Sequence, residues 1–466
     1  MPVDLAAMKS RLVTTLLFVL FFAQDASLQK RKGASTITEA SVRGHMEFLA
    51  GDAMKGRGSG TEDEWRAAAY MGSQMRKWGI EPLGDNGTFV KRIQTARVQV
   101  TAAPVLAIRN AKFTHGRDIL VQSIGRGTVS GTTFTYKAGS PAPTGAFVLV
   151  PEGVTPVATE IADAAVVLTV ETPQQRAGWD AAASTMPGTG GGRRGGGPPA
   201  AARVIVAKST FETWSTLVSD GTPASLQVDT RPGYTWNALG KLTGSDPRVA
   251  GEVILLSAHL DHLGVRGTGP DQIYNGADDD ASGSTAVLEL AEALAAGPRP
   301  KRTVMFAWFG SEESGGAGAS DFLANPPVPL TQIVANLEFE MIANRDPKVP
   351  PHTLWLTGYE RSTLGPDLAK QGASIVADPH PTMNFFSRSD NIQLACRGII
   401  AQTVSSFDAV GSKTYHQPSD EVSTVDFAHM VDAIQSMLSP VLWLANSTYK
   451  PEWLPGKKPA PGDPCR

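Results

Sequence analysis

Cysteine is nearly absent: Cys396 and Cys465 are the two such residues among 466. That excludes a small disulfide-framework protein and any zinc site built mainly of thiolates. The two could bond to each other, but Cys465 stands one residue from the C-terminus, and the pair is not expected. Excess charge is missing as well. The 42 Lys+Arg against 45 Asp+Glu leave −3, so the chain lacks the basic field of a nucleic-acid binder. No run is apolar enough to span a bilayer. Residues 12–22 come nearest, interrupted by Thr14 and Thr15, and fall well short of the ~20 residues a spanning helix needs. What remains, with 41% hydrophobic and 19% charged residues, is a globular chain. At ~100–200 residues per domain it is too long for one compact unit.

Met8-Lys9-Ser10-Arg11 before the short apolar run, and small residues after it, read as a secretory signal over residues 1–26. Gln24 is a poor residue just before that cut, Met8 is an alternative start, and a buried N-terminal helix is the alternative reading. The expectation is an exported protein, periplasmic or secreted, with no membrane span after signal removal.

Residues 27–97 carry helical periodicity, with Val42, Met46 and Leu49 on one face and Ala68, Met71 and Met75 on another. This is a helical lead-in, its second helix closed by Gly79. Residues 98–235 change texture to short β-rich runs at 146–150, 165–170 and 203–207, separated by turn residues. Within them, 187–199 is nearly all glycine around Arg193 and Arg194 and reads as a disordered loop. No strand-to-helix frame supports a phosphate-binding role there. From 236 to 450 the apolar strands 253–258, 303–309, 333–341 and 398–404 alternate with helices. Ser282 is placed to cap one helix, closed by Gly297 and Pro298, and a last helix runs over 425–444. Residues 451–466 are a tail. Such alternation predicts an α/β fold: a mainly parallel mixed sheet covered by helices on both faces, with a small β-rich domain inserted.

In such sheets ligands gather beyond the carboxyl ends of the strands. There the sequence places Ser257-Ala258-His259-Leu260-Asp261, then Asp278-Asp279-Asp280, then Glu312-Glu313, then Glu338 and Glu340, with Tyr415-His416 near the end. Each alone has an ordinary explanation as a solvated loop or a helix cap. Together they put acidic and imidazole groups at successive ends of one sheet. Three adjacent aspartates repel unless a cation lies among them, and two imidazoles with three carboxylates suit zinc. Carboxylates can also bridge two ions ~3.5–4 Å apart, the arrangement of metal-assisted hydrolysis.

The segments Ser-Ala-His-Leu-Asp-His (257–262), Gly-Ala-Asp-Asp-Asp-Ala-Ser-Gly (276–283), Phe-Gly-Ser-Glu-Glu (309–313) and Tyr-His-Gln-Pro-Ser-Asp (415–420) resemble the signature of metallopeptidase family 28. These are di-zinc aminopeptidases and carboxypeptidases. Residues 49–61, Leu-Ala-Gly-Asp-Ala-Met-Lys-Gly-Arg-Gly-Ser-Gly-Thr, look like the helical lead-in of secreted bacterial members, and the β-rich region resembles a protease-associated domain. The resemblance implies two zinc ions per chain. His259 would bind one, Asp279 would bridge both, and Glu313 and His416 would complete the other site. Glu312 would be the general base acting on a zinc-bridged water, and Asp261 would orient the His259 ring. The Asp279–Asp280 peptide is cis in this family. Where the family has an aspartate before a methionine, this chain has Glu340 before Met341, with Glu338 on the same strand face as an open alternative. Phe386 stands where some members carry a hydrogen-bonding tyrosine, so Tyr415 is the candidate for steadying the oxyanion. His262, His380 and Arg388 are candidates to line the substrate pocket, but read first as solvated loop positions. The implied activity is exopeptidase cleavage at free peptide N-termini. Carboxypeptidase or dipeptidase action remains open, as do glutaminyl cyclase chemistry and a non-catalytic receptor-like role. Oligomeric state is not legible.

Overall fold

Local signals start the chain. In a computed structural model, Thr38 accepts a hydrogen bond from the Ser41 amide at the head of α1 (Glu39–Leu49), and Thr61 does the same for the Glu64 amide at the head of α2 (Glu62–Lys77). Both are N-caps that satisfy amides left open in the first turn. The structure describes residues 36–459 and Cys465, except 125–126, 184–185, 187, 190–200, 215–217 and 267–269. The expected signal, and most of the expected glycine-rich loop, lie outside the described residues.

The main sheet comprises β1 (Glu81–Pro82), β2 (Val90–Val100), β3 (Thr230–Leu242), β4 (Val253–His259), β5 (Thr303–Phe309), β6 (Ile333–Phe339), β7 (Leu354–Leu356), β8 (Ile375–Ala377) and β9 (Ala401–Ser405). Their spatial order is β1-β3-β5-β4-β6-β9-β7-β8, with β2 also paired to β3. β5, β4, β6 and β9 run parallel, whereas β3 and β7 join them antiparallel. The sheet is therefore mixed with a parallel centre, as the continuous apolar runs require.

Alternate residues of β4 and β5 serve opposite faces. Ile254, Leu256, Val304, Phe306 and Trp308 pack towards α1, α2, α3 (Gly283–Ala296) and α6 (Phe427–Asn446). Leu255, Met305, Ala307 and Phe309 pack towards α4 (Ala317–Ala324) and α5 (Asn391–Cys396). Ser282 does not cap α3. It is itself helical, and its hydroxyl donates to the Asp278 carbonyl at 2.7 Å while accepting from the Ile342 amide at 2.9 Å.

Among the described residues, a second nine-stranded sheet lies within residues 105–227, around its own core of Leu106, Phe147, Leu168, Val204 and Trp214. The edges expected at 98 and 235 fall inside β2 and β3, a long antiparallel pair that runs from the main sheet to the insert.

Cys396 and Cys465 are bonded, contrary to expectation. The tail returns across the fold before it ends: the Trp453 indole donates to the Gly398 carbonyl at 3.1 Å and the Leu454 amide to the Arg361 carbonyl at 2.8 Å. Proximity in sequence to the terminus was therefore a poor guide. Closing a loop over a separation of 69 residues removes freedom from the unfolded chain, typically worth ~2–4 kcal/mol. Cys396→Ser is expected to lower the unfolding temperature by several degrees, and reductant should do the same to the wild type but not to the variant. Equal melting of all three would remove the bond from the stability of the fold.

Candidate metal centre

The described metal-type residues converge beyond the carboxyl ends of β4, β5 and β6. His259 ends β4 and is buried. Its Nδ1 lies 2.9 Å from the Asp261 carbonyl oxygen. A carbonyl only accepts, so Nδ1 carries the proton and Nε2 presents its lone pair to Asp279 Oδ1, 3.2 Å away. The ring is thus steadied by the Asp261 main chain rather than by its carboxylate, which is 4.0 Å off. That carboxylate instead accepts from the Glu312 amide at 2.9 Å and from the Ser59 hydroxyl.

Of the three aspartates, only the middle one faces the centre. Asp278 Oδ1 accepts from the Ala343 amide at 2.9 Å, and Asp280 accepts from the amides of His259, Gly283 and Met341. They brace the turn, and the Asp279–Asp280 peptide is cis. Asp420 grips the same turn from the far end of the sequence, accepting from the Asp278 and Asp279 amides at 2.9 and 3.1 Å. Held this way, Asp279 turns one oxygen to His259 and the other to His416 Nε2, 3.1 Å away.

Two donor sets result. His259, Asp279 and Glu340 form one, and His262, Asp279 and Glu313 the other; the ligand atoms within each lie within 4.8 Å of one another. His416 Nε2 joins the second, 3.0 Å from Glu313 Oε1. Glu338, the open alternative, is in neither set: its buried carboxylate accepts from the Asn391 amide at 2.6 Å and the Thr403 hydroxyl at 3.4 Å. Glu340, one residue past the end of β6, occupies the position instead.

These residues fit zinc on chemistry as well as spacing. His259 Nε2 and Glu313 Oε1 are buried and make no hydrogen bond, and unsatisfied buried polar atoms are costly unless something binds them. Burial opposes charge on His416, yet the Asp279 and Glu313 carboxylates beside it raise its pKa to about 10. A site that draws a proton this strongly is one that a dication would take over. Mixed imidazole and carboxylate donors suit zinc.

Glu312 stands beside both sets, buried, and loss of water pushes its carboxyl well above the usual range. The turn that presents it is anchored by Glu64 of α2, which accepts from the Ser311 amide at 2.9 Å and the Thr235 hydroxyl at 2.6 Å. Tyr415 stacks on the His416 ring at 3.9 Å. Burial and the Asp279 charge raise its phenol pKa, so the hydroxyl stays protonated. Tyr415 shares a cavity with Glu340, Trp355, Phe385, Phe407 and Arg388.

Of the positions expected in solvent, Arg388 is exposed at that cavity, but His262 and His380 are buried. His380 Nε2 lies 2.7 Å from the buried Asp346 carboxylate. The roles of His262, Asp420 and Glu64 carry no local signal, because each acts on chain remote in sequence.

Comparison with known proteins agrees with this arrangement. Residues 237–440 match the model of Peptidase family M28. The chain is 33% identical over 132 residues to leupeptin-inactivating enzyme 1 of Streptomyces exfoliatus, covering 27% of each chain. It is 35% identical over 111 residues to an aminopeptidase of Pseudomonas aeruginosa, covering 24% of this chain and 18% of that one. The chain thus spans under a third of the length of these relatives. A zinc aminopeptidase from Bacillus subtilis superposes with a TM-score of 0.57 at 16% identity, over 89% of this chain and 97% of that one; at that identity the likeness concerns the fold. The segment 237–440 that matches the model of peptidase family M28 is the one that holds both donor sets.

Proposed function

We propose that this protein is an exported di-zinc exopeptidase that removes residues from free peptide N-termini. The observation that carries the reading is Asp279, whose two oxygens face two separate groups of donors at one strand end. One carboxylate shared in this way is what a pair of ions requires. His259 and Glu340 would hold one ion, and Glu313 and His416 the other. Bound zinc supplies an acidified water and a Lewis acid for the carbonyl.

The chain supplies the rest. Glu312, its amide fixed by Asp261, takes a proton from the attacking water and later delivers it to the leaving amine. Arg388 Nη2 donates to the Tyr415 oxygen at 3.2 Å, which leaves the phenol proton available to the developing oxyanion. Export is supported by the basic start and short apolar run of residues 8–22, and a disulfide is at home in an oxidising compartment. Among the described residues no helix is long and apolar enough to cross a membrane.

Arg388 at the cavity favours one second reading, in which its guanidinium takes the terminal carboxylate of a carboxypeptidase or dipeptidase substrate. One peptide in free, N-acetylated and C-amidated forms, each with and without chelator, separates the two. Sequential loss from the N-terminus, stopped by acetylation and by chelation, is expected. Loss from the other end, stopped by amidation, would transfer the assignment to the second reading. No cleavage of any form with both zincs bound would reject peptides as the substrate class.

A further inference from the structure

His262 follows His259 by three residues and is fully buried. Its main chain is fixed: the amide donates to the Arg57 carbonyl at 3.1 Å, and Gly58 forms a bridge with it. Its ring is fixed too. Gly276, in the left-handed region at φ 62, lies so close that a β-carbon there would sit 2.5 Å from His262 Cγ. The ring packs edge-to-face on His416 at 5.6 Å. Yet neither ring nitrogen makes a hydrogen bond. A buried imidazole with both nitrogens unsatisfied is costly, and native structures rarely keep one without a ligand.

Its surroundings say which ligand. His262 Nδ1 lies 3.2 Å from Glu313 Oε1 and 3.7 Å from Asp279 Oδ2. His416 Nε2 approaches the same two oxygens at 3.0 and 3.1 Å. Two imidazoles therefore converge on one pair of carboxylate oxygens, while His259 alone serves the other set.

We infer that His262 is a fourth protein ligand of the second metal, so that the two ions are held unequally. The inference rests on the two-zinc reading above and goes beyond it. Zinc with four protein donors fills the shell of a closed, structural site; three donors leave a position open, as catalytic sites do. His262, His416, Glu313 and Asp279 would close the second position. His259, Glu340 and Asp279 would leave the first open beside Glu312. The first ion is then the reactive one, and the second chiefly anchors Asp279 and the Glu312–Glu313 turn.

The test is metal binding. Wild-type protein loaded with zinc should hold two ions per chain and release them to a chelator in two separated steps. X-ray absorption at the zinc edge should count three imidazoles per two zincs. His262→Asn should retain one ion with wild-type affinity and bind the other more than ~10²-fold more weakly, beyond the upper range for losing a group that only supports a ligand. Cobalt placed in the tight site should lose its intense four-coordinate absorption in the variant. Two zincs with two imidazoles in the wild type, or a His262→Asn protein with unchanged affinities and cobalt spectrum, would overturn the inference alone. A wild type that binds no zinc would overturn both it and the two-zinc reading. The imidazole count needs no variant, so it decides the matter even if substitution prevents folding.

Discussion

Glu312→Gln is expected to keep both zinc ions and the fold while losing at least ~10²-fold in kcat, the low end for removal of a general base. The amide matches the carboxyl in shape and cannot take the proton. Glu312 belongs to neither donor set, so metal content should not change. The amide that hydrogen-bonds Asp261 belongs to the main chain and survives the substitution. Because catalysis rather than substrate binding is removed, KM should move little and kcat should carry the loss. A wild-type rate would take Glu312 out of the mechanism and require another base. A loss accompanied by departure of one zinc would mean that it acts as a ligand. Zinc content measured on the assayed sample separates these outcomes.

How far the site could be read from sequence follows from where each residue's partners lie. Apolar strands that end in His259, Glu312-Glu313 and Glu340 are local patterns, and a parallel sheet gathers the ends of its strands on one edge. The parallel core and the carboxylate clustering were therefore legible. His262 was not: three residues past a strand end usually means solvent, and here Gly58 of the lead-in lies across it. Asp420 and Glu64 brace turns 142 and 247 positions away, which no periodicity records. The expected edges of the insert are crossed by β2 and β3 as one paired ribbon, which no local pattern records. Ser282 had the cap's composition but not its geometry, since its own backbone is already helical (φ −68, ψ −50) and continues directly into α3. In each case the missed feature is a long-range hydrogen bond or a continuity of backbone that hydrophobic patterning does not encode.

The same reasoning gives the largest expected effect on stability to a residue outside the metal centre. Arg57 is buried, and its guanidinium donates to four carbonyl oxygens: Leu260 at 3.0 Å, Leu49 at 2.6 Å, Asn275 at 2.7 Å and Gly276 at 2.9 Å. It thereby ties the end of α1 to the turn after His259 and to the segment that leads into Asp279. Burial works against its charge, and the Asp280, Asp420, Asp279 and Asp261 carboxylates favour it. Arg57→Met would strand several buried carbonyls and withdraw the cation from those aspartates. A loss of roughly 3–5 kcal/mol in urea unfolding is expected, the range for removing one partner of a buried ionic network. Arg57→Lys keeps the charge but not the planar fork that reaches separate segments, so it should recover only part of that loss. Zinc affinity should fall in the same order, Met below Lys below wild type, because the two turns Arg57 joins carry His259 and Asp279. If Arg57→Met unfolds within ~1 kcal/mol of wild type, water has replaced the guanidinium at those carbonyls, and the lead-in contributes packing alone. If stability falls while zinc affinity holds, Arg57 supports the fold without positioning the metal ligands.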